Sequence, residues 1–265
     1  MEHRITPPAI EIEDVEHWFR DERSGRRVHA VAKTSITVND GEFISVVGPS
    51  GCGKTTLLNI VSGLSRPTKG SVRVRGKEVD GVQAHQVGYM FARDTLLPWR
   101  TAQGNVEFGL DALSGQEKKQ RAQQFMHLVG LAGFENSYPD QLSHGMRQRV
   151  ALARTLAASP DILLMDEPFG ALDAQTKLLM EEEFLKIWEA DRKTVLFVTH
   201  DLVEALMLSD RVIVLSARPC HIKAEYRVDF PRPRDAEALQ ANAEFTSLVR
   251  QVWHDLKAEN IRGNQ

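Results

Sequence analysis

The sequence predicts an α/β fold, with a parallel sheet covered by helices on both faces. Three observations carry that prediction. After Pro160, strand-sized apolar runs alternate with helical patterns: DILLMDE, DAQTKLLMEEEFLKIWEA, TVLFVTH, DLVEALML and RVIVLS. Upstream, the buried strand EFISVVG runs straight into a glycine-rich loop that opens the helix TTLLNIVSGL. Between about Arg93 and Pro160 the pattern turns helical, so a helical block interrupts the α/β core.

In chain order, IEIEDVEHWF and HAVAKTSITVND alternate apolar and polar residues and predict half-buried antiparallel strands. SVRVRGKEV is a further alternating strand, and VGYMF a short apolar one. Within the helical block, SGQEKKQRAQQFMHLVGL spaces its apolar residues as a helix does. A last helix is expected from Asp235 to about Ile261, with Phe245, Leu248, Val249, Val252, Trp253 and Leu256 on one face. That stripe either packs on its own domain, the favoured reading, or meets a partner or membrane surface. The expected organisation is one domain over 1–265. Residues 1–92 and 161–230 form the α/β core with a β subdomain, 93–160 a helical subdomain, and 231–265 a C-terminal helical extension.

With 42% hydrophobic and 26% charged residues over 265 positions, a core needs no staples. A formal net charge of -3 argues against nucleic acid as a partner. Cys52 and Cys220 do not make a disulfide framework and suit a reducing compartment. The start MEHRITPPAIEIED is acidic and proline-containing and lacks the basic start and apolar run of a signal peptide. The longest apolar runs, such as ILLM and VIVL, fall far short of the ~20 residues that span a bilayer. Any work at a membrane is therefore expected to go through a partner.

Gly48-Pro49-Ser50-Gly51-Cys52-Gly53-Lys54-Thr55, followed by Thr56, fits G-x-x-x-x-G-K-[ST] between a strand and a helix. Glycines let backbone N–H groups curl around a phosphate, and the helix N-terminus adds partial positive charge. Lys54 is expected to reach the β- and γ-phosphates, and the Thr55 hydroxyl to ligate Mg²⁺. Cys52 is expected to fill a small-residue slot. ILLMDEP ends a buried strand in two carboxylates, which strand geometry turns to opposite faces. Asp166 is the expected Mg²⁺-side group, and Glu167 is placed to orient an attacking water. VTH brings His200 to the same carboxyl edge of the sheet, where sites in such folds lie. One stretch remains. LSHGMRQRVALAR reads as a second Ser-x-Gly helix start, and one phosphate needs only one.

Together these motifs resemble the ATPase subunit of ABC transporters, over nearly the whole chain. Gly48–Thr56 matches the Walker A motif, Leu142–Gln148 the family signature and Ile162–Glu167 Walker B. Gly170-Ala171-Leu172-Asp173 is similar to the D-loop, and His200 to the switch histidine. Phe19 falls where the family places an aromatic that stacks on adenine, with Trp18 the competitor for that role. The resemblance implies a P-loop NTPase (RecA-like) core with a mixed sheet, an antiparallel β subdomain and an inserted helical subdomain. It also implies ATP and Mg²⁺ as cofactors and a head-to-tail dimer, either of two copies or of a mixed pair. Each ATP would then lie between Walker A of one subunit and Ser143 and Gly145 of the other. That gives the second helix start its purpose.

Two positions depart from the family pattern. His144 stands where the signature has a glycine, and Ala92 where the Q-loop glutamine follows its strand. Weakened activity or altered coupling is expected from Ala92, not abolition. LLPW, within RDTLLPWRTAQGNV, and SARPCHIKAEYRVDFPRPR are similar to importer ATPases for nitrate, sulfonates and taurine. The resemblance implies a permease transmembrane subunit as partner, a periplasmic or lipid-anchored solute-binding protein indirectly, and a place on the cytoplasmic membrane face. Pro98 and Trp99 are candidate permease contacts, Trp99 equally a core anchor. A non-transport ABC ATPase, or a weakly active regulatory subunit, is the competing expectation.

Overall fold

Alternating apolar residues build the first two strands, β1 (Ile10–Arg20) and β2 (Arg27–Val38), as an antiparallel pair. The computed structural model describes residues 7–20, 25–83 and 86–263. Next come β3 (Phe43–Val47), wholly buried, the helix α1 (Lys54–Val61), and β4 (Lys69–Val74) with the short β5 (Lys77–Glu78). The stretch expected as one alternating strand is thus a hairpin. Arg75 and Gly76 both take positive φ, and that turn ends β4. β6 (Val87–Met90) closes the first part of the chain.

The helical block holds α2 (Ala102–Glu107), α3 (Gly115–Leu128) and α4 (His144–Ala157). α3 begins at a capping box between Ser114 and Glu117, which satisfies two otherwise open backbone donors. Strands and helices then alternate as expected: β7 (Ile162–Asp166), α5 (Ala174–Ala190), β8 (Thr194–Val198), α6 (Leu202–Leu208) and β9 (Arg211–Leu215). β10 (Ile222–Arg227) returns antiparallel along β9.

The expected last helix is two: α7 (Ala236–Ala241) and α8 (Ala243–Gly263). Asn242 makes the break, because its side-chain oxygen accepts from the N–H groups of Glu244 (2.7 Å) and Phe245 (3.1 Å) and starts a new helix. Phe245, Val252 and Leu256 are buried and Leu248 and Val249 pack beside them, so the stripe does cover its own domain. Trp253 lies off it, 53% exposed.

Two sheets result. The larger runs β10-β9-β3-β8-β7-β6, with its five inner-order strands β9 to β6 parallel and β10 reversed, so the sheet is mixed. The smaller, antiparallel sheet runs β2-β1-β4-β5. Side chains of β3 alternate between two cores, as period-two geometry requires. Ile44 and Val46 join Leu57, Leu58 and Ile60 of α1 with Ile10, Ile12 and Val72 of the antiparallel sheet. Phe43 and Val47 face the other side, among Phe184 and Trp188 of α5 and Leu206 of α6. Trp188 is clamped there: its ring meets Phe43 at 5.4 Å and its Nε1–H donates to the Lys193 carbonyl at 2.7 Å. α1 thus lies between the two sheets, and the loop before it opens at the carboxyl edge of β3.

Candidate functional site

The phosphate loop is held from three sides. Gly53 has φ 133°, and a Cβ there would sit 2.9 Å from Cys220 Sγ and 3.0 Å from the Ala30 carbonyl, so glycine is required. Buried Lys54 donates to the carbonyls of Gly48 (2.7 Å) and Pro49 (3.0 Å), folding the loop over its own ammonium. Arg218, in the turn after β9, donates through Nε and Nη2 to the Gly51 carbonyl at 3.2 and 2.9 Å. That turn is tied in its turn to α8, since Glu259 accepts from the Ala217 N–H at 3.2 Å. No local pattern marks Arg218, because a lone arginine in a turn has no spacing to single it out.

Thr55 and Asp166, the residues expected on the Mg²⁺ side, lie side by side. Thr55 Oγ1 donates to Asp166 Oδ2 at 2.8 Å, joining the first turn of α1 to the end of β7. Burial pushes the Asp166 carboxyl above its ordinary value, while Thr55 and the Lys54 charge pull against that shift. One hydroxyl and one carboxylate suit Mg²⁺, which keeps several waters and phosphate oxygens as its other ligands. Among the described residues no group of three or more His, Cys, Asp or Glu side chains is spaced to hold a metal alone.

Glu167 departs from strand geometry. Its φ is 48°, a conformation costing a non-glycine residue about 1–3 kcal/mol. The backbone is locked there by its N–H donating to Val198 O at 2.8 Å and its carbonyl accepting from Gly170 at 3.1 Å. This turn sends the carboxylate towards His200, whose Nδ1 lies 3.3 Å from Glu167 Oε2. Asp166 stays buried beside Thr55. The two carboxylates therefore divide, but through the left-handed turn at Glu167 and not by strand alternation, because β7 ends at Asp166.

Behind His200 lies a cluster that the sequence did not mark. Lys177 of α5 places its ammonium 2.8 Å from Asp201, 3.5 Å from Glu204 and 3.6 Å from Glu181. Asp201 caps α6 through the N–H groups of Val203 and Glu204, and Thr199 hydrogen-bonds Glu204. Lys177 thus ties the helix begun by Asp173 to the segment carrying His200. Burial, then the neighbouring Glu204 charge, push the Glu181 carboxyl up to about 8. The folded chain holds a proton there that the unfolded chain gives up near 4.5, so stability falls as pH rises from about 4.5 to about 8. Glu181→Gln is expected to raise the melting temperature by about 2–4 °C above pH 8, for each kcal/mol relieved, and by nothing below pH 4.5. Melting curves at both ends of that window check it; an equal shift at both would remove the buried proton.

Of the second helix start, Ser143 is the N-cap of α4, accepting from Met146 N–H at 3.2 Å, and is exposed like His144. A Cβ on Gly145 would lie 3.3 Å from the Ala171 carbonyl and 3.4 Å from Leu172, so this glycine permits close packing on the segment before Asp173. Gln148 reinforces the contact by donating to the Pro168 carbonyl at 3.2 Å. Asp173 caps α5, accepting from Thr176 N–H at 3.0 Å. No contact joins Ser143 to the phosphate loop of the same chain among the described hydrogen bonds.

Phe19 and Trp18 separate cleanly. Trp18 stacks on His29 at 4.2 Å with Lys69 over its ring at 5.3 Å. Phe19 meets the His17 ring edge-on at 4.6 Å and is 46% exposed. His17 pairs across the strands with Val31, which borders Gly53. Phe19 therefore shares the sheet face that meets the phosphate loop, and Trp18 takes the other. Ala92, just after β6, is exposed and offers only a methyl group. Trp99 is 72% exposed, which overturns its reading as a core anchor. Arg147 and Arg154 of α4 hold the loop between them, through Asp94 (2.8 Å) and the Thr95 carbonyl (3.0 Å).

A mixed α/β sheet with its phosphate loop at the carboxyl edge, an acidic pair two strands away and an inserted helical block defines an ATP-hydrolysing cassette. The ABC transporter family profile matches residues 31–170. An ABC transporter ATP-binding protein of Methanocaldococcus jannaschii, MJ0412, is 49% identical over 96% of this chain and 93% of its own length. In Synechococcus elongatus, the bicarbonate transport ATP-binding protein CmpD is 45% identical over 81% of this chain and 78% of its own. The nitrate import ATP-binding protein NrtD of the same organism is 44% identical over 83% and 81%. Among solved structures, the cassette MJ0796, a dimer in a post-hydrolysis state bound to ADP and Pi, superposes with a TM-score of 0.77. It is 32% identical, over 84% of this chain and 100% of that one. The chain belongs to the ABC transporter family, as an ATP-binding subunit that hydrolyses ATP. Among the described residues no helix is long and apolar enough to cross a membrane.

Proposed function

We propose that this chain powers import of a small solute of the nitrate, sulfonate, taurine or bicarbonate kind through a separate permease, by hydrolysing ATP between two head-to-tail cassettes. One observation carries the dimer. At the N-terminus of α4, Ser143 is exposed and half-buried Gly145 packs on the segment before Asp173, with no described hydrogen bond to the phosphate loop of its own chain. A capped helix start of this kind is an anion site in need of an anion, and a partner's γ-phosphate supplies it. Relatives named for bicarbonate transport and nitrate import support the solute class.

In this reading Phe19 stacks on adenine, and the Gly48–Thr56 backbone wraps the phosphates. Lys54 leaves the loop carbonyls for the β- and γ-phosphates. Thr55 and Asp166 are the residues that would hold Mg²⁺, whose charge neutralises phosphate oxygens when bound. Glu167 orients the attacking water, and His200, against the Glu167 carboxylate, fixes its direction and the γ-phosphate. Exposed Trp99 and Pro98 offer the permease a contact beside α4. Ala92 removes a polar side chain from the link between that contact and the site, so coupling is weaker than in a glutamine-bearing cassette.

The test is affinity purification of the tagged chain from gently solubilised host membranes, with partners identified by mass spectrometry. A multi-span permease is expected, together with a second cassette. Ribosomal or DNA-bound partners without any membrane protein would overturn the transport reading.

A further inference from the structure

The peptide that joins Gly51 to Cys52 is held by both of its polar groups, from opposite sides of the phosphate loop. Its carbonyl accepts twice from Arg218, from Nε at 3.2 Å and from Nη2 at 2.9 Å. Its N–H donates to the Pro49 carbonyl at 3.2 Å. A trans peptide is planar, with C=O and N–H pointing opposite ways, so whatever fixes the carbonyl also aims the N–H. The Pro49 carbonyl accepts from the Lys54 ammonium too, at 3.0 Å, and that buried ammonium bonds the Gly48 carbonyl at 2.7 Å. The Cys52 N–H therefore faces the inner side of the loop, and Arg218 grips the same peptide from outside. Gly51 has φ 70°, and a glycine peptide turns easily, so this orientation needs a brace. The turn that carries Arg218 is itself stitched down. Ala217 N–H donates to Glu259 of α8 at 3.2 Å, Ser216 N–H to the His221 carbonyl at 2.9 Å, and Cys220 N–H to the Ala30 carbonyl at 3.0 Å.

We propose that Arg218 is a positioning residue for ATP: it holds the Gly51–Cys52 peptide so that the Cys52 N–H meets a phosphate oxygen. The proposal rests on the reading above that this loop wraps the phosphates. On binding, the Cys52 N–H exchanges the Pro49 carbonyl for phosphate, as Lys54 does. The Arg218 bonds lie on the outer side and need not change. A cation on the carbonyl also polarises the peptide and makes its N–H a better donor to an anion. The contribution is made to the phosphates common to ATP and ADP, before any bond is broken, so it is felt in affinity and not in the chemical step.

The experiment uses the full purified chain with its Arg218→Ala and Arg218→Lys variants. Binding of ATP and ADP, steady-state hydrolysis, amide hydrogen exchange at Cys52 and melting curves are read on each. Arg218 is exposed, so the alanine variant is expected to melt within about 3 °C of the parent. It is expected to bind ATP and ADP both about three- to tenfold more weakly, as the loss of one charge-assisted anchor does. KM should rise with it while kcat stays within about twofold, the mark of binding shared by ground and transition states. Exchange at Cys52 should quicken at least about tenfold with the rest of the chain unaltered. Arg218→Lys keeps a charged donor and is expected to recover part of both effects. The loss should persist between about 0.1 and 1 M salt, where the Debye length falls from about 10 to about 3 Å, because the bonds act at contact. Unchanged affinity, unchanged Cys52 exchange, a fall in kcat at constant KM, or a loss that salt abolishes would each overturn the proposal. A parent chain that binds no ATP would instead overturn the nucleotide reading, and with it the effect on ATP, while Cys52 exchange still decides whether Arg218 holds the peptide.

Discussion

Glu167→Gln is expected to lower ATP turnover by about 10²–10⁴-fold while leaving ATP affinity within a few-fold of the parent. The amide keeps the size and the Val198 and Gly170 backbone bonds that set the φ of 48° at this position. It loses the negative charge beside His200 Nδ1, and with it one of the two acceptor oxygens proposed to orient a water. Because ATP binds but is not consumed, the variant is also expected to accumulate as an ATP-held dimer. Phosphate release and size-exclusion chromatography with ATP and Mg²⁺ check both parts. Turnover within threefold of the parent would transfer the role to another group, with His200 first in line.

Lys54→Ala acts one step earlier. The ammonium is buried and makes two charge-assisted hydrogen bonds to loop carbonyls, bonds that ATP would exchange for phosphate oxygens. Hydrogen bonds to a charged group are worth about 1.5–3 kcal/mol, so ATP affinity is expected to fall about one to two orders of magnitude. Turnover should fall with it, and no ATP-held dimer should form even when combined with Glu167→Gln. Equilibrium binding together with a melting curve separates this from unfolding. A folded variant that binds ATP normally would show that the loop backbone alone carries the phosphate.

Both residues were legible in the sequence because their neighbours in space are neighbours in the chain. A loop, its preceding strand and its following helix occupy one stretch, and period-two or helical spacing marks each part. The same holds for β7 with its acidic pair and for Ser143 at the start of α4. Boundaries set by single residues were less visible. The Arg75–Gly76 turn and the Asn242 cap each divide what periodicity alone reads as one element. β10 was not marked, since IKAEYR follows a proline and cysteine turn and is only half-buried. Least legible were long-range pairings. Arg218 on Gly51 and Lys177 between Asp201 and Glu204 join residues with no shared local pattern.

The strand order has a consequence for how the chain is made. β3 leads into the phosphate loop, but its sheet neighbours are β8 and β9, and the Arg218 brace comes later still. A ribosome must deliver the chain past Leu215 before β3 has strands on both sides. At about 5–20 residues per second, that leaves a strand apolar at all but Ser45 waiting for roughly ten to thirty seconds. Meanwhile β1 and β2 can pair across a short connection as soon as they emerge. The nascent cassette therefore passes through a stage with its small sheet formed and its ATP site unbuilt. The exposed β3 of that stage is a natural client for chaperones.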